Sequence, residues 1–86
     1  MIRITCTGHI KTSIGKEELE LDEGGIRATQ LIKKLRLMAG DASRAGFTEF
    51  NTIMILNDGE AFTPAATDRL LQDGDSVVLV PFSHGG

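Results

Sequence analysis

The chain has 86 residues, a formal net charge of −3, one cysteine (Cys6) and two histidines (His9 and His84). That length makes one small domain, and a single thiol excludes an internal disulfide and a four-cysteine zinc or iron–sulfur site. No apolar run nears the roughly 20 residues of a membrane span, the N-terminus lacks a signal-peptide layout, and the charge balance lacks the basic stripe that nucleic acid requires; the expectation is a cytoplasmic protein that engages neither membrane, nucleic acid nor metal.

Ile2, Ile4 and Cys6 alternate with Arg3, Thr5 and Thr7, the period of two that marks a half-buried strand. Cys6 shares the apolar face, so it reads as a structural thiol rather than a reactive one. A loop containing Gly8 and Gly15 is expected next. Leu19 and Leu21 then alternate with Glu18, Glu20 and Asp22, predicting a second strand with an acidic outer face. An opposed strand would let Arg3 or Lys16 offset part of that charge. The acidic run Glu17, Glu18, Glu20, Asp22 and Glu23 reads first as a solvated strand face, and otherwise as a surface that meets a basic partner.

Gly24-Gly25 ends the alternation and the period changes. Ala28, Leu31, Ile32, Leu35 and Met38 make one stripe of an amphipathic helix. Lys33, Lys34 and Arg36 lie in its C-terminal half, where cations favour the dipole, and Gly40 is the expected stop. Leu37 lies off the stripe and is expected to pack under the connector Asp41–Phe50, with a partner contact as the other reading.

Thr52–Leu56 is a continuous apolar run consistent with a strand buried on both faces. Asn57-Asp58-Gly59 predicts a tight turn into a short strand, Glu60–Phe62, which Thr63-Pro64 ends. Ala65–Gln72 reads as a connector with room for one helical turn, from which Leu70 or Leu71 plugs the core. After the turn at Asp73-Gly74-Asp75, Ser76–Val80 is apolar on both parities, so it is expected to be central and parallel to Ile2–Cys6. Pro81 has no N–H to donate and is expected to end the pairing.

These elements predict an α+β fold: a mixed four- to five-stranded sheet with one main helix across one face, spanning residues 1–81. Residues 82–86 then form a flexible tail, Phe82-Ser83-His84-Gly85-Gly86, with a reach of roughly 16–18 Å. A terminal Gly-Gly pair is expected by chance in about one protein in 200. Glycines leave the last carbonyls accessible to a narrow channel, and an ionised C-terminal carboxylate can attack a nucleotide phosphate to become an activated acyl group. A frayed end is the competing reading.

The layout resembles the β-grasp, or ubiquitin-like, fold. The last third resembles the MoaD/ThiS family of sulfur-carrier proteins. The likeness rests on Asn57-Asp58-Gly59, on Leu71-Gln72-Asp73-Gly74-Asp75-Ser76-Val77, and on Pro81 followed by Gly85-Gly86. The family typically shows a Leu-x-Asp-Gly-Asp-x-Val-like segment, a hydrophobic strand, one or two prolines, then a closing Gly-Gly.

By that resemblance Gly86 is the residue whose carboxylate a ubiquitin-activating-type enzyme adenylates with ATP, before sulfur transfer converts it to a thiocarboxylate. Gly85 gives access, and Pro81, Phe82, Ser83 and His84 supply length and partner contacts. No cofactor is bound by the chain itself, and ATP belongs to the activating enzyme. The implied partners are that enzyme and a sulfur acceptor, such as the large subunit of a molybdopterin synthase. Many small-subunit relatives carry a second proline and small or aliphatic residues where Phe82, Ser83 and His84 stand. Phe82 reads equally as an anchor in a partner pocket or as a ring packed on its own sheet. His84 reads as a spacer, or as a group that protonates or ionises the reacting terminus.

Three functions follow. The first is a non-enzymatic sulfur carrier, favoured toward molybdopterin biosynthesis over thiamine thiazole synthesis by the generous Ala39–Thr52 connector. The second is a protein modifier joined through Gly86, and the third an interaction domain that never reacts. Ser13, Ser43, Ser76 and Ser83 have no histidine–carboxylate setting in the sequence, which leaves an enzyme as the weakest reading.

Overall fold

Alternating burial organises the sheet. The computed structural model describes residues 1–39, 46–57 and 59–82. In β1 (Ile2–Cys6), Ile2, Ile4 and Cys6 are buried while Arg3 is exposed. β2 (Glu18–Leu21) pairs antiparallel with β1, setting Leu19 opposite Ile4 and Glu20 opposite Arg3. β4 (Thr52–Leu56), β5 (Glu60–Phe62) and β7 (Ser76–Pro81) complete a five-stranded sheet in the order β2-β1-β7-β4-β5. β7 is central: it runs parallel to β1 and antiparallel to β4. The β-grasp expectation, including the parallel pairing of early and late strands, matches the structure.

Two helices supply the other layer. α2 (Ala28–Met38) buries Ala28, Leu31, Ile32 and Leu35 against the sheet. The stripe stops there, because Met38 is 46% exposed. Leu37, expected under the connector, is instead 73% exposed. It projects from the face opposite the stripe, so helical geometry turns it away from the core. Gly40, expected to stop the helix, lies outside the described residues, as do residues 41–45 of the connector; α2 ends on Ala39, whose N–H donates to Leu35 O at 3.0 Å. The N-terminus of α2 is capped from a distance, since the Thr29 N–H and hydroxyl both donate to Asp68 Oδ1 at 3.0 Å.

The expected Gly8–Gly15 loop is a second helix, α1 (Gly8–Ile14), closed by Gly15 in the left-handed region at φ 84°. It plugs the core with Ile10. The connector before the last strand likewise holds a two-residue strand, β6 (Leu70–Leu71), paired with β3 (Ile26–Arg27). Of the two candidate plugs, Leu71 is fully buried and Leu70 exposed. Phe47 is the largest fully buried side chain and comes from the connector ahead of β4.

The two turn motifs meet. Asn57 sits at φ 50°; its Nδ2 donates to Asp75 Oδ1 at 3.2 Å, and its Oδ1 accepts the Ser76 N–H at 2.9 Å. Asp75 Oδ2 accepts the Gln72 N–H at 2.8 Å. The motif residues that carry the family likeness therefore tie β4 to the start of β7.

Cys6 is 1% exposed, and burial pushes its thiol above the ordinary value of 9.0. The protonated thiol is thus favoured in the fold, and stability drops once pH rises past 9.0, where the unfolded chain ionises first. Ellman-type thiol titration at neutral pH is expected to leave Cys6 unmodified until denaturant is added, and chemical melts should weaken above that pH. Rapid labelling of the native protein would contradict this burial.

Candidate tail base and docking face

β7 delivers the chain to its C-terminal residues, and the backbone from Leu79 to Phe82 is gripped on both sides. On the β1 side, the Thr7 hydroxyl and N–H both donate to Leu79 O, at 2.8 and 3.2 Å. Gly8 follows at φ +57°, so close to the proline ring that an added Cβ would lie 2.6 Å from Pro81 Cγ and 3.2 Å from Cδ. Only glycine satisfies both the left-handed backbone and that approach. On the β4 side, Pro81 stands opposite Thr52, and the Phe82 N–H donates to Asn51 O at 2.7 Å.

Pairing therefore runs one residue past Pro81, contrary to the expectation that the proline ends it. Proline lacks a donor, but its missing N–H does not prevent the next residue from bonding to the neighbouring strand. Asn51 is itself fixed: its Oδ1 accepts the Thr48 N–H at 2.6 Å and its Nδ2 donates to Gly46 O at 3.2 Å.

Of the sequence-predicted site residues, Pro81 is half-buried and Phe82 is 43% exposed. Ser83, His84, Gly85 and Gly86 lie outside the described residues. Thr7, Gly8 and Asn51 were missed. The one signal in the sequence was the Gly8 that directly follows a strand, and a single glycine does not disclose which ring it must clear.

The sheet face turned away from α1 and α2 carries a second feature. Ile53 pairs with Val80 and Ile55 with Val78, and all four side chains are only half-buried. β4 is therefore not buried on both faces as its apolar run suggested: Thr52, Met54 and Leu56 face the core and the isoleucines face outward. Strand alternation puts Phe82 in the row begun by Val78 and Val80. At the far edge, Glu18 and Glu20 are exposed opposite Thr5 and Arg3. The other acidic residues are partly matched, Glu17 by Lys11 at 3.3 Å and Glu23 by Lys34 at 2.6 Å. The open face is thus apolar from its centre to the tail base and acidic at its β2 edge.

Among the described residues, no group of three or more His, Cys, Asp or Glu side chains is arranged to hold a metal ion. No helix among them is long and apolar enough to cross a membrane.

Comparison with known proteins agrees with this architecture. SAMP1 from Haloferax volcanii has the same fold, with a TM-score of 0.68 at 19% identity over 99% of this chain and 98% of that one. A chain of the BexX/CysO complex from Amycolatopsis orientalis gives a TM-score of 0.64 at 15% identity, covering 100% of both chains. No curated protein sequence matches the chain. The ThiS family model matches residues 4–86, a span that takes in both turn motifs, the central strand and the two final glycines; on that match the chain belongs to the ThiS family of ubiquitin-like sulfur-carrier proteins.

Proposed function

We propose that this protein is a cytoplasmic sulfur carrier whose Gly86 is adenylated and converted to a thiocarboxylate, and that it donates sulfur as the small subunit of a molybdopterin synthase-like complex. The observation that carries the reading is the mount: a central strand, β7, fixed on both sides up to Phe82, with Gly85 and Gly86 three and four residues further on. Residues 1–81 serve as that mount and residues 82–86 as the delivered segment.

In the first step a Gly86 carboxylate oxygen attacks a phosphorus of ATP held by the activating enzyme, and pyrophosphate leaves. Hydrosulfide-level sulfur from the partner system then attacks the acyl carbon, and AMP departs with the original carboxyl oxygen to leave a thiocarboxylate. Where the donor is a persulfide, the acyl disulfide first formed is cleaved by a second thiol, which ends in a disulfide with the donor. The carrier supplies the acyl group, and the partner supplies every catalytic side chain.

The short tether decides where that partner sits. Four residues beyond Phe82 span at most about 14 Å, so an enzyme that holds Gly86 must also cover the surface around Phe82. The half-buried row Val78, Val80, Ile53 and Ile55 adjoins that point and supports its use as the docking face. Phe82 is then an anchor at the interface, and Glu18 and Glu20 favour a partner with basic residues at its rim.

Intact-mass analysis of protein from its native host tests the proposal. A fraction with one oxygen replaced by sulfur at the C-terminus is expected, together with recovery of a molybdopterin synthase large subunit in a pull-down that keeps the tail free. Gly-Gly remnants on lysines of other proteins, without any thiocarboxylate, would replace this reading with that of a protein modifier. Recovery of a thiazole synthase would redirect the sulfur to thiamine.

A further inference from the structure

We infer that Thr7, Gly8 and Asn51 are positioning residues that aim the tail, and that the contact of Gly8 with the Pro81 ring sets the direction in which the chain leaves the domain. This rests on the carrier reading, because aim has a consequence only if Gly86 must enter another protein's active site.

Three independent contacts converge on four residues of backbone. Leu79 O receives two donors from Thr7, Pro81 is buttressed by the Gly8 backbone, and the Phe82 N–H is held by Asn51 O. Two of these contacts come from the start of α1 and one from the turn before β4, so β7 is gripped from both neighbours. The sheet register alone holds the strand in plane. The Gly8 contact adds a restraint on the ring of the last strand residue, at the point where the chain leaves the sheet, and so fixes the origin from which an activating enzyme takes up the last four residues. Reaction geometry tolerates little displacement of that origin, since about 1 Å at the reacting atoms costs up to about a hundredfold in rate.

Glycine at position 8 also has an internal control. Gly15 closes the same helix at φ +84° and has nothing within 4 Å of an added Cβ. Alanine at either position imposes left-handed backbone strain, but only alanine at position 8 strikes Pro81. The two variants therefore separate the contact from the strain.

The test compares Gly8→Ala and Gly15→Ala in ATP–pyrophosphate exchange with the host's adenylating enzyme. Gly8→Ala is expected to lower kcat/KM about tenfold or more, because the anchor Phe82 and the tail beyond it are displaced while Val78, Val80, Ile53 and Ile55 keep their places. Gly15→Ala should react normally. Adding Gly8→Ala to Pro81→Ala should cost little further, since the ring atoms 2.6 and 3.2 Å from the new Cβ are gone and the residual Cβ contact is 3.9 Å. Thr7→Val, which removes one donor to Leu79 O while keeping its shape, should show a smaller loss in the same direction and serves if Gly8→Ala does not fold.

Equal kinetics for Gly8→Ala and Gly15→Ala would overturn the inference, and so would an undiminished loss in the Pro81→Ala background. Amide exchange and residual dipolar couplings of Phe82 give a readout that needs no enzyme. They should change in Gly8→Ala and not in Gly15→Ala, and an unchanged Phe82 amide sinks the proposal. Wild-type protein that is never adenylated, with Phe82 behaving as expected in the variants, would instead refute the carrier reading and leave the mechanical coupling standing.

Discussion

Deleting Gly85-Gly86 is expected to abolish ATP-dependent activation while leaving thermal stability unchanged. The described hydrogen-bonded framework is complete at Phe82, whose N–H makes the last bond to Asn51 O, and the core cluster ends at Leu79. Removal of two residues beyond that framework leaves every buried side chain in place. The new carboxylate, on His84, would sit roughly 7 Å short of its original position, far outside the geometry of attack on a phosphate. It would also be flanked by an imidazole in place of hydrogen at the narrowest point. The measurement is pyrophosphate exchange beside a thermal melt of the same sample. Retained activation would eliminate the tail as the reactive group, whereas a lowered melting temperature would mean that the glycines contribute to the fold.

Phe47→Ala is expected to have the largest effect on stability. Phe47 is fully buried and is the largest side chain in that state. Truncating a buried phenylalanine costs about 3–5 kcal/mol. A chain of this size has about 4–13 kcal/mol in total, so the loss takes a large share of it. In a domain of 60–100 residues that corresponds to a melting temperature lower by about 12 °C or more. Phe50→Ala, three residues on and 70% exposed, should change stability by less than about 0.5 kcal/mol. Comparable effects of the two substitutions would contradict the packing described for the Gly46–Asn51 segment.

Phe47 also marks where the sequence stopped being legible. Period-two alternation disclosed β1 and β2, a 3.6-residue period disclosed α2, and continuous apolar runs disclosed β4 and β7, all with boundaries within about a residue or two. They did so because each element buries a regular face against the same core. Phe47 has no such pattern around it: a lone aromatic in an irregular connector looks alike whether it is buried or exposed, as Phe50 demonstrates. α1 was hidden for a related reason. Only Ile10 and Ile14 mark its face, and a seven-residue helix between two glycines carries too little periodicity to stand out from a loop. β3 and β6 are two residues each, and their pairing is decided by tertiary placement rather than by local preference. At the candidate site, Pro81 and the final glycines were visible as residue types. The clamp was not, because Gly8 and Pro81 are distant in the chain and are joined only by the parallel pairing of β1 with β7.

That same pairing gives the protein a distinctive folding history. Synthesis proceeds from the N-terminus, and β1 is among the first segments made, but its sheet partner β7 comes last among the strands. Until residue 81 is available, β1 and β4 have no strand between them, and β2-β1 and β4-β5 remain two separate hairpin-like pieces. Closure then depends on contacts between residues more than 70 apart, such as Cys6 with Leu79, which makes folding slower than for a helical chain of equal length. An incompletely made chain would therefore expose two half-sheets and carry no terminal glycines, whereas the folded mount and its reactive end become available together.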